Sequence, residues 1–213
     1  MIKVINNEEI FIIGYGSLLS RSSLAKTIGE ELAMKKNYIP VIIKGYKRVY
    51  NYIPNKYSCS FSPETRYFCA AANLMIDNNN RENSEESNWF FNAAMIRVSY
   101  KELKLLKKRE DNYNLKMVKT FDFYNPNRFL SNALLFTVDN TNYIVKDENI
   151  KPRPLDLFLS RNGAFNIGGK EFLKMFDSTS YLADERTTIK EYLQNELENN
   201  SIFSSNTLFP IFN

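Results

Sequence analysis

The chain reads as a single α+β domain. Three observations predict it. Apolar runs of strand length fill the first two-thirds, helical signatures gather towards the last third, and 213 residues with 44% hydrophobic content suffice for one sizeable core. Strands followed by helices, without regular alternation, favour α+β packing over a doubly wound parallel sheet.

In chain order, residues 10–13, 40–43, 46–52, 68–76 and 90–98 are apolar runs that read as strands, and residues 116–123, 133–138 and 142–145 add three more. A helical turn is expected around residues 22–26. Ser99-Tyr100-Lys101-Glu102 has capping-box spacing, so a helix begins there and runs towards Arg109 and Glu110, with Leu103 and Leu106 on its inner face. A second helix is expected over residues 154–162, opened by Pro154 and closed by Gly163. Residues 171–176 read as a third. Thr188-Ile189-Lys190-Glu191 repeats the capping spacing ahead of a fourth. The polar stretch 77–88 is expected to be an exposed loop, and the aromatic-dotted tail after about residue 199 to pack back on the body.

The absence of histidine excludes whole classes of chemistry. No Ser-His-Asp triad, Cys-His dyad or imidazole zinc site can exist, and two cysteines cannot make a four-thiolate metal site. Protons must then move through Asp, Glu, Lys or Tyr. The net charge of +4 carries no long basic block, so no nucleic-acid partner is expected. No apolar run approaches the ~20 residues a bilayer requires, and no membrane partner is expected. The first nine residues are broken by polar side chains before any signal-peptide core could form, and Cys59 and Cys69 read as reduced thiols. These features predict a cytoplasmic protein.

Two of the seven glycines frame one residue in Gly14-Tyr15-Gly16-Ser17-Leu18-Leu19, directly after a strand. Glycines there permit close backbone approaches, and N–H groups at such a point can hold a carboxylate or oxyanion. A plain tight turn accounts for the pattern equally. A dinucleotide fingerprint fails, because Leu19 stands where a third small residue is required. At the end of the best-capped helix stands Arg109-Glu110-Asp111-Asn112-Tyr113. A carboxylate at a helix C-terminus faces the negative end of the macrodipole, which opposes its ionisation and suits Glu110 to exchanging protons. A solvated charged helix end is the other reading of that triplet.

Together, Tyr15-Gly16-Ser17-Leu18 after a strand and Arg109-Glu110-x-x-Tyr113 about ninety residues later resemble the γ-glutamylcyclotransferase superfamily. Gly45-Tyr46-Lys47-Arg48 is similar to its Gly-Tyr-x-Arg strand. Asn92-Ala93-Ala94-Met95 stands where relatives carry the strand leading to the glutamate helix, with Ala93-Ala94 where many have glycine. Val118, Phe121 and the proline-opened helix ahead of Gly163 continue the match, which spans residues 11–193. The stretch 77–88 looks like an insertion.

The resemblance implies a small closed mixed β-barrel with flanking helices and a single domain over residues 1–213. It implies an intramolecular aminolysis in which the α-amine of a γ-glutamyl compound attacks its own γ-carbonyl, forming 5-oxoproline and expelling an amine or amino acid. Glu110 would be the catalytic acid/base. Tyr15, Gly16, Ser17 and Leu18 would hold the γ-glutamyl group, and Tyr113 would orient Glu110 or line the pocket. No metal and no cofactor is implied, and the partner is a small γ-glutamyl molecule. Arg109 could pair with a substrate carboxylate or face solvent. A non-catalytic small-molecule binder or a protein-interaction protein on the same scaffold is the alternative.

Overall fold

In the computed structural model, which describes residues 10–53, 68–77, 87–138 and 143–198, the strands fall into two sheets. In chain order the elements are β1 (Ile10–Gly14), a 3-10 turn (Ser17–Leu19), α1 (Arg21–Ile28), α2 (Glu30–Met34), β2 (Tyr38–Lys44), β3 (Tyr46–Tyr52), β4 (Phe68–Ile76) and β5 (Phe90–Val98). Then follow α3 (Tyr100–Arg109), β6 (Asn114–Asp122), β7 (Phe129–Thr137), β8 (Lys151–Pro152), α4 (Pro154–Ser178), β9 (Ser180–Leu182) and α5 (Ile189–Glu198).

The first sheet closes in the order β1-β5-β2-β6-β7. Four of its contacts are antiparallel, and β7 returns parallel to β1 through Ile12↔Leu134 and Ile13↔Leu135, so the barrel is mixed. Strand alternation explains why β5 is apolar on both faces. Ala93 and Met95 join Ile13, Val41, Ile43 and Leu135 in a core drawn almost wholly from barrel strands, whereas Ala94 and Ile96 join Ile12 in a core shared with the helices.

The remaining strands form a second sheet, β8-β4-β3-β9, which the resemblance to a single barrel did not announce. Gly45, at φ +82°, makes the turn from β2 into β3, a conformation only glycine adopts freely. Arg48 of the Gly-Tyr-x-Arg stretch fastens this sheet to the barrel. It is fully buried between the rings of Phe91 and Phe176, donates to Ser180 Oγ at 2.7 Å, and donates to the Asn92 carbonyl on β5.

Both capping boxes form. Ser99 Oγ accepts from the Glu102 amide and Glu102 returns a carboxylate to the Ser99 amide at 2.6 Å. Thr188 and Glu191 exchange the same pair of bonds at the head of α5. Elsewhere the structure corrects the sequence reading. Gly163 does not end a helix: α4 runs through it to Ser178, and the expected third helix is its continuation beyond a kink at Gly168 and Gly169. The expected strand over residues 142–145 reduces to one bridge, Ile144 with Tyr52, and Asn142 lies outside the described residues. The short elements α2, β8 and β9 were not anticipated. Of the stretch 77–88, only its feet are described: Ser87 Oγ donates to Asp77, and the Asp77 amide donates to the Gly45 carbonyl at 3.0 Å. Cys59 and the tail from residue 199 lie outside the described residues.

Candidate active site

The geometry begins at the end of β1. There the backbone turns through the 3-10 segment, with Leu18 and Leu19 buried beneath it. Gly14 is required for closeness: a Cβ on it would stand 2.9 Å from the Leu18 carbonyl oxygen. By the construction of a helical turn, its first amides have no carbonyl of their own to pair with. Facing this turn is the C-terminus of α3. Glu110 occupies the C-cap at φ −96° and ψ 46°, outside helical geometry.

All six residues singled out from the sequence line one cavity of about 740 Å³: Tyr15, Gly16, Ser17 and Leu18 on one side, Glu110 and Tyr113 on another. Leu105 and Leu155 give the same cavity apolar rim surface.

Arg109 ties the two sides together. Its Nε lies 2.9 Å from Glu110 Oε1. Nη1 donates to the Ser23 carbonyl at 2.7 Å and to Thr27 Oγ1 at 3.0 Å. Nη2 donates to Ser17 Oγ at 3.1 Å and to Ser23 Oγ at 2.9 Å. A guanidinium has five N–H donors; the two terminal nitrogens make these four hydrogen bonds, and Nε faces the Glu110 carboxylate as an ion pair. Arg109 is therefore neither a solvated helix end nor a free cation awaiting a substrate carboxylate. Sequence spacing carried no sign of the other partners, because apart from the neighbouring Glu110 they lie more than eighty positions away.

The tyrosines are held neutral. Burial, and then the Glu110 charge, push the Tyr15 phenol far above its ordinary range, and its hydroxyl donates to the Phe136 carbonyl at 2.9 Å. Burial likewise raises Tyr113, reinforced by Tyr15 and Glu110. Its hydroxyl points to the Ala72 carbonyl at 3.4 Å, and its ring meets that of Tyr52 edge-on with centroids 5.2 Å apart. These phenols are walls and donors, not proton carriers at neutral pH.

The cavity lining also includes Tyr50, Tyr52 and Asp156, which no sequence motif marked as site residues. Tyr50 and Tyr52 of β3 stand on either side of an irregularity in the pairing of β3 with β4. Asp156, in the first turn of α4, pairs with Arg153. Burial raises the Asp156 pKa despite the nearby Arg153, Arg109 and Lys26 charges. Its only local signal was its place two residues after Pro154. Among the described residues no cluster of three or more His, Cys, Asp or Glu side chains could hold a metal ion, and no helix is long and apolar enough to cross a membrane.

No protein-family model matches this sequence, and no curated protein does. Solved structures do match. One is a gamma-glutamyl cyclotransferase, with a TM-score of 0.57 and 12% identity over 90% of this chain and 99% of that one. Uncharacterized protein loc79017 from Homo sapiens gives the same figures. YkqA from Bacillus subtilis gives a TM-score of 0.54 and 17% identity, over 79% of this chain and 52% of that one. At such identities the likeness is one of architecture. A mixed five-stranded barrel, flanking helices and coverage of nearly a whole gamma-glutamyl cyclotransferase chain give the protein the γ-glutamylcyclotransferase-like fold.

Proposed function

We propose that the protein is a γ-glutamyl cyclotransferase, converting a γ-glutamyl compound to 5-oxoproline with release of an amine or amino acid. The observation that carries this reading is that Glu110 and the turn at residues 15–18 line one cavity and share the guanidinium of Arg109.

The reaction suits a site of this composition. The attacking group is the substrate's own α-amine, so no enzyme nucleophile and no imidazole is needed. As the new C–N bond closes the five-membered ring, the attacking nitrogen gives a proton to Glu110. The γ-amide C–N bond then breaks, and Glu110 returns the proton to the departing nitrogen. The carbonyl oxygen gains negative charge in between, and the backbone N–H groups of residues 15–18 with the Ser17 hydroxyl would steady it. Folding the substrate so that amine and carbonyl touch supplies much of the acceleration, since well-oriented intramolecular reactions gain roughly 7–11 kcal/mol.

The test is 5-oxoproline release by the purified protein from γ-glutamyl amino acids, γ-glutamylamines and glutathione. Release from one of these supports the reading, and the same panel names the leaving group. No release from any of them overturns it.

A further inference from the structure

We propose that Arg109 is the positioning residue of this site. Its guanidinium holds the Glu110 carboxylate as the proton acceptor and turns the Ser17 hydroxyl so that its proton is free for the cavity. This rests on the cyclotransferase reading and deepens it.

A guanidinium has donors only, so every group that Arg109 hydrogen-bonds must accept. Ser17 Oγ accepts from Nη2 at 3.1 Å. A hydroxyl whose oxygen is so engaged still has its own proton to give, and Ser17 lines the cavity. On the other side, Nε meets Glu110 Oε1 at 2.9 Å, with the two side chains 24% and 17% exposed. That contact fixes where the carboxylate stands relative to the cavity that both residues line. One side chain thus positions Glu110 and leaves the Ser17 hydroxyl a donor.

The remaining contacts make the arrangement rigid. Nη1 and Nη2 also reach the Ser23 carbonyl, Ser23 Oγ and Thr27 Oγ1 on α1. Glu110, at the end of α3, is therefore referenced to the segment that follows the substrate turn. Lysine could supply the charge but not five donors in a planar fork, so Arg109→Lys separates charge from geometry.

The experiment measures kcat and KM for 5-oxoproline release, with thermal unfolding, for wild type, Arg109→Lys, Ser17→Ala and the double variant. Arg109→Lys is expected to unfold near the wild-type temperature and to lose about 100-fold in kcat with KM little changed, the cost of a misplaced transition-state group. Ser17→Ala is expected to lose kcat in the same way, and the double variant to lose little more than the worse single one, because the two act as a unit. A wild-type kcat in Arg109→Lys overturns the role, as do strictly multiplicative losses in the double variant. Should Arg109→Lys fail to fold, Ser17→Ala decides alone, and an unchanged kcat there overturns the role. Absence of turnover by the wild type overturns the cyclotransferase reading and this role with it. An active wild type with an unaffected Arg109→Lys overturns the role only.

Discussion

Gly163, within α4, lies directly against the backbone of Leu19. A Cβ at this position would stand 2.5 Å from both the carbonyl carbon and the carbonyl oxygen of Leu19, and 2.7 Å from the Ser20 amide nitrogen. The helix can therefore press onto the 3-10 turn only because this residue has no side chain. That contact sets the height of the turn that carries Ser17 and Leu18. Gly163→Ala must push the two segments apart, because the clash is with backbone and no rotamer relieves it. The expected cost is roughly 1–3 kcal/mol of stability, measured by chemical denaturation, with a loss of 5-oxoproline release beyond what the remaining folded fraction explains. Unchanged stability would show that α4 and the turn are not in contact.

Glu110→Gln keeps the shape and leaves an amide oxygen able to face Arg109 Nε, but removes the proton acceptor. The variant should unfold within a few degrees of wild type and lose about 10²–10⁴-fold in kcat. Turnover close to wild type would remove Glu110 from the mechanism.

Glu102 is a buried carboxylate with two charge-assisted partners. Its Oε2 accepts from Lys36 Nζ at 2.7 Å and from the Ser99 amide at 2.6 Å, closing the capping box of the helix that ends in Glu110. Burial works to raise its pKa, but Lys36 and the Ser99 amide and hydroxyl outweigh burial and hold the carboxyl below the ordinary glutamate value. Stability from such a group is present above the unfolded pKa and is lost as pH falls through the depressed folded one. Glu102→Gln should cost about 1–3 kcal/mol at neutral pH, and the gap should close as the pH is lowered through that range. Denaturation curves at a series of acidic pH values check it, and a gap independent of pH would refute the ionic contribution.

At high pH the buried phenols decide the outcome. Burial pushes Tyr38 and Tyr50 up to about 12, and it also raises Tyr15, Tyr52, Tyr113 and Tyr192. A folded phenol that keeps its proton above the ordinary value of 10.0 stabilises the fold fully below that pH, and the stabilisation is lost as pH rises towards 12. Arg48, lowered to about 10 by burial, and Lys47, lowered for the same first reason, act in the opposite sense. Six phenols outweigh two cations, so stability should fall steeply from pH 10 upward, with tyrosinate absorbance appearing together with unfolding. Tyrosinate appearing well before unfolding would contradict the burial.

Much of the layout was legible because it is local. Residues 46–52, 68–76 and 90–98 are strands as read, since apolar runs between turn residues have few other ways to bury themselves. The capping boxes at Ser99 and Thr188 were equally plain, because a cap is written in four consecutive residues. Gly163 misled for a physical reason. A glycine near a helical segment marks either an end or a close contact, and only the approach of Leu19 from over a hundred and forty residues earlier distinguishes the two.

The sequence by itself determined most of the long strands and the capped helix starts, the absence of imidazole chemistry, and the two short motifs at residues 14–19 and 109–113. Those properties depend on residue identity and near neighbours. Only the tertiary structure decided that both motifs line one cavity, that β3 and β4 leave the barrel for a second sheet, and that Arg109 spends its donors on Ser17, Ser23, Thr27 and Glu110. Each of these is set by which distant surfaces pack together, and a guanidinium's partners are chosen by that packing, not by its neighbours in the chain.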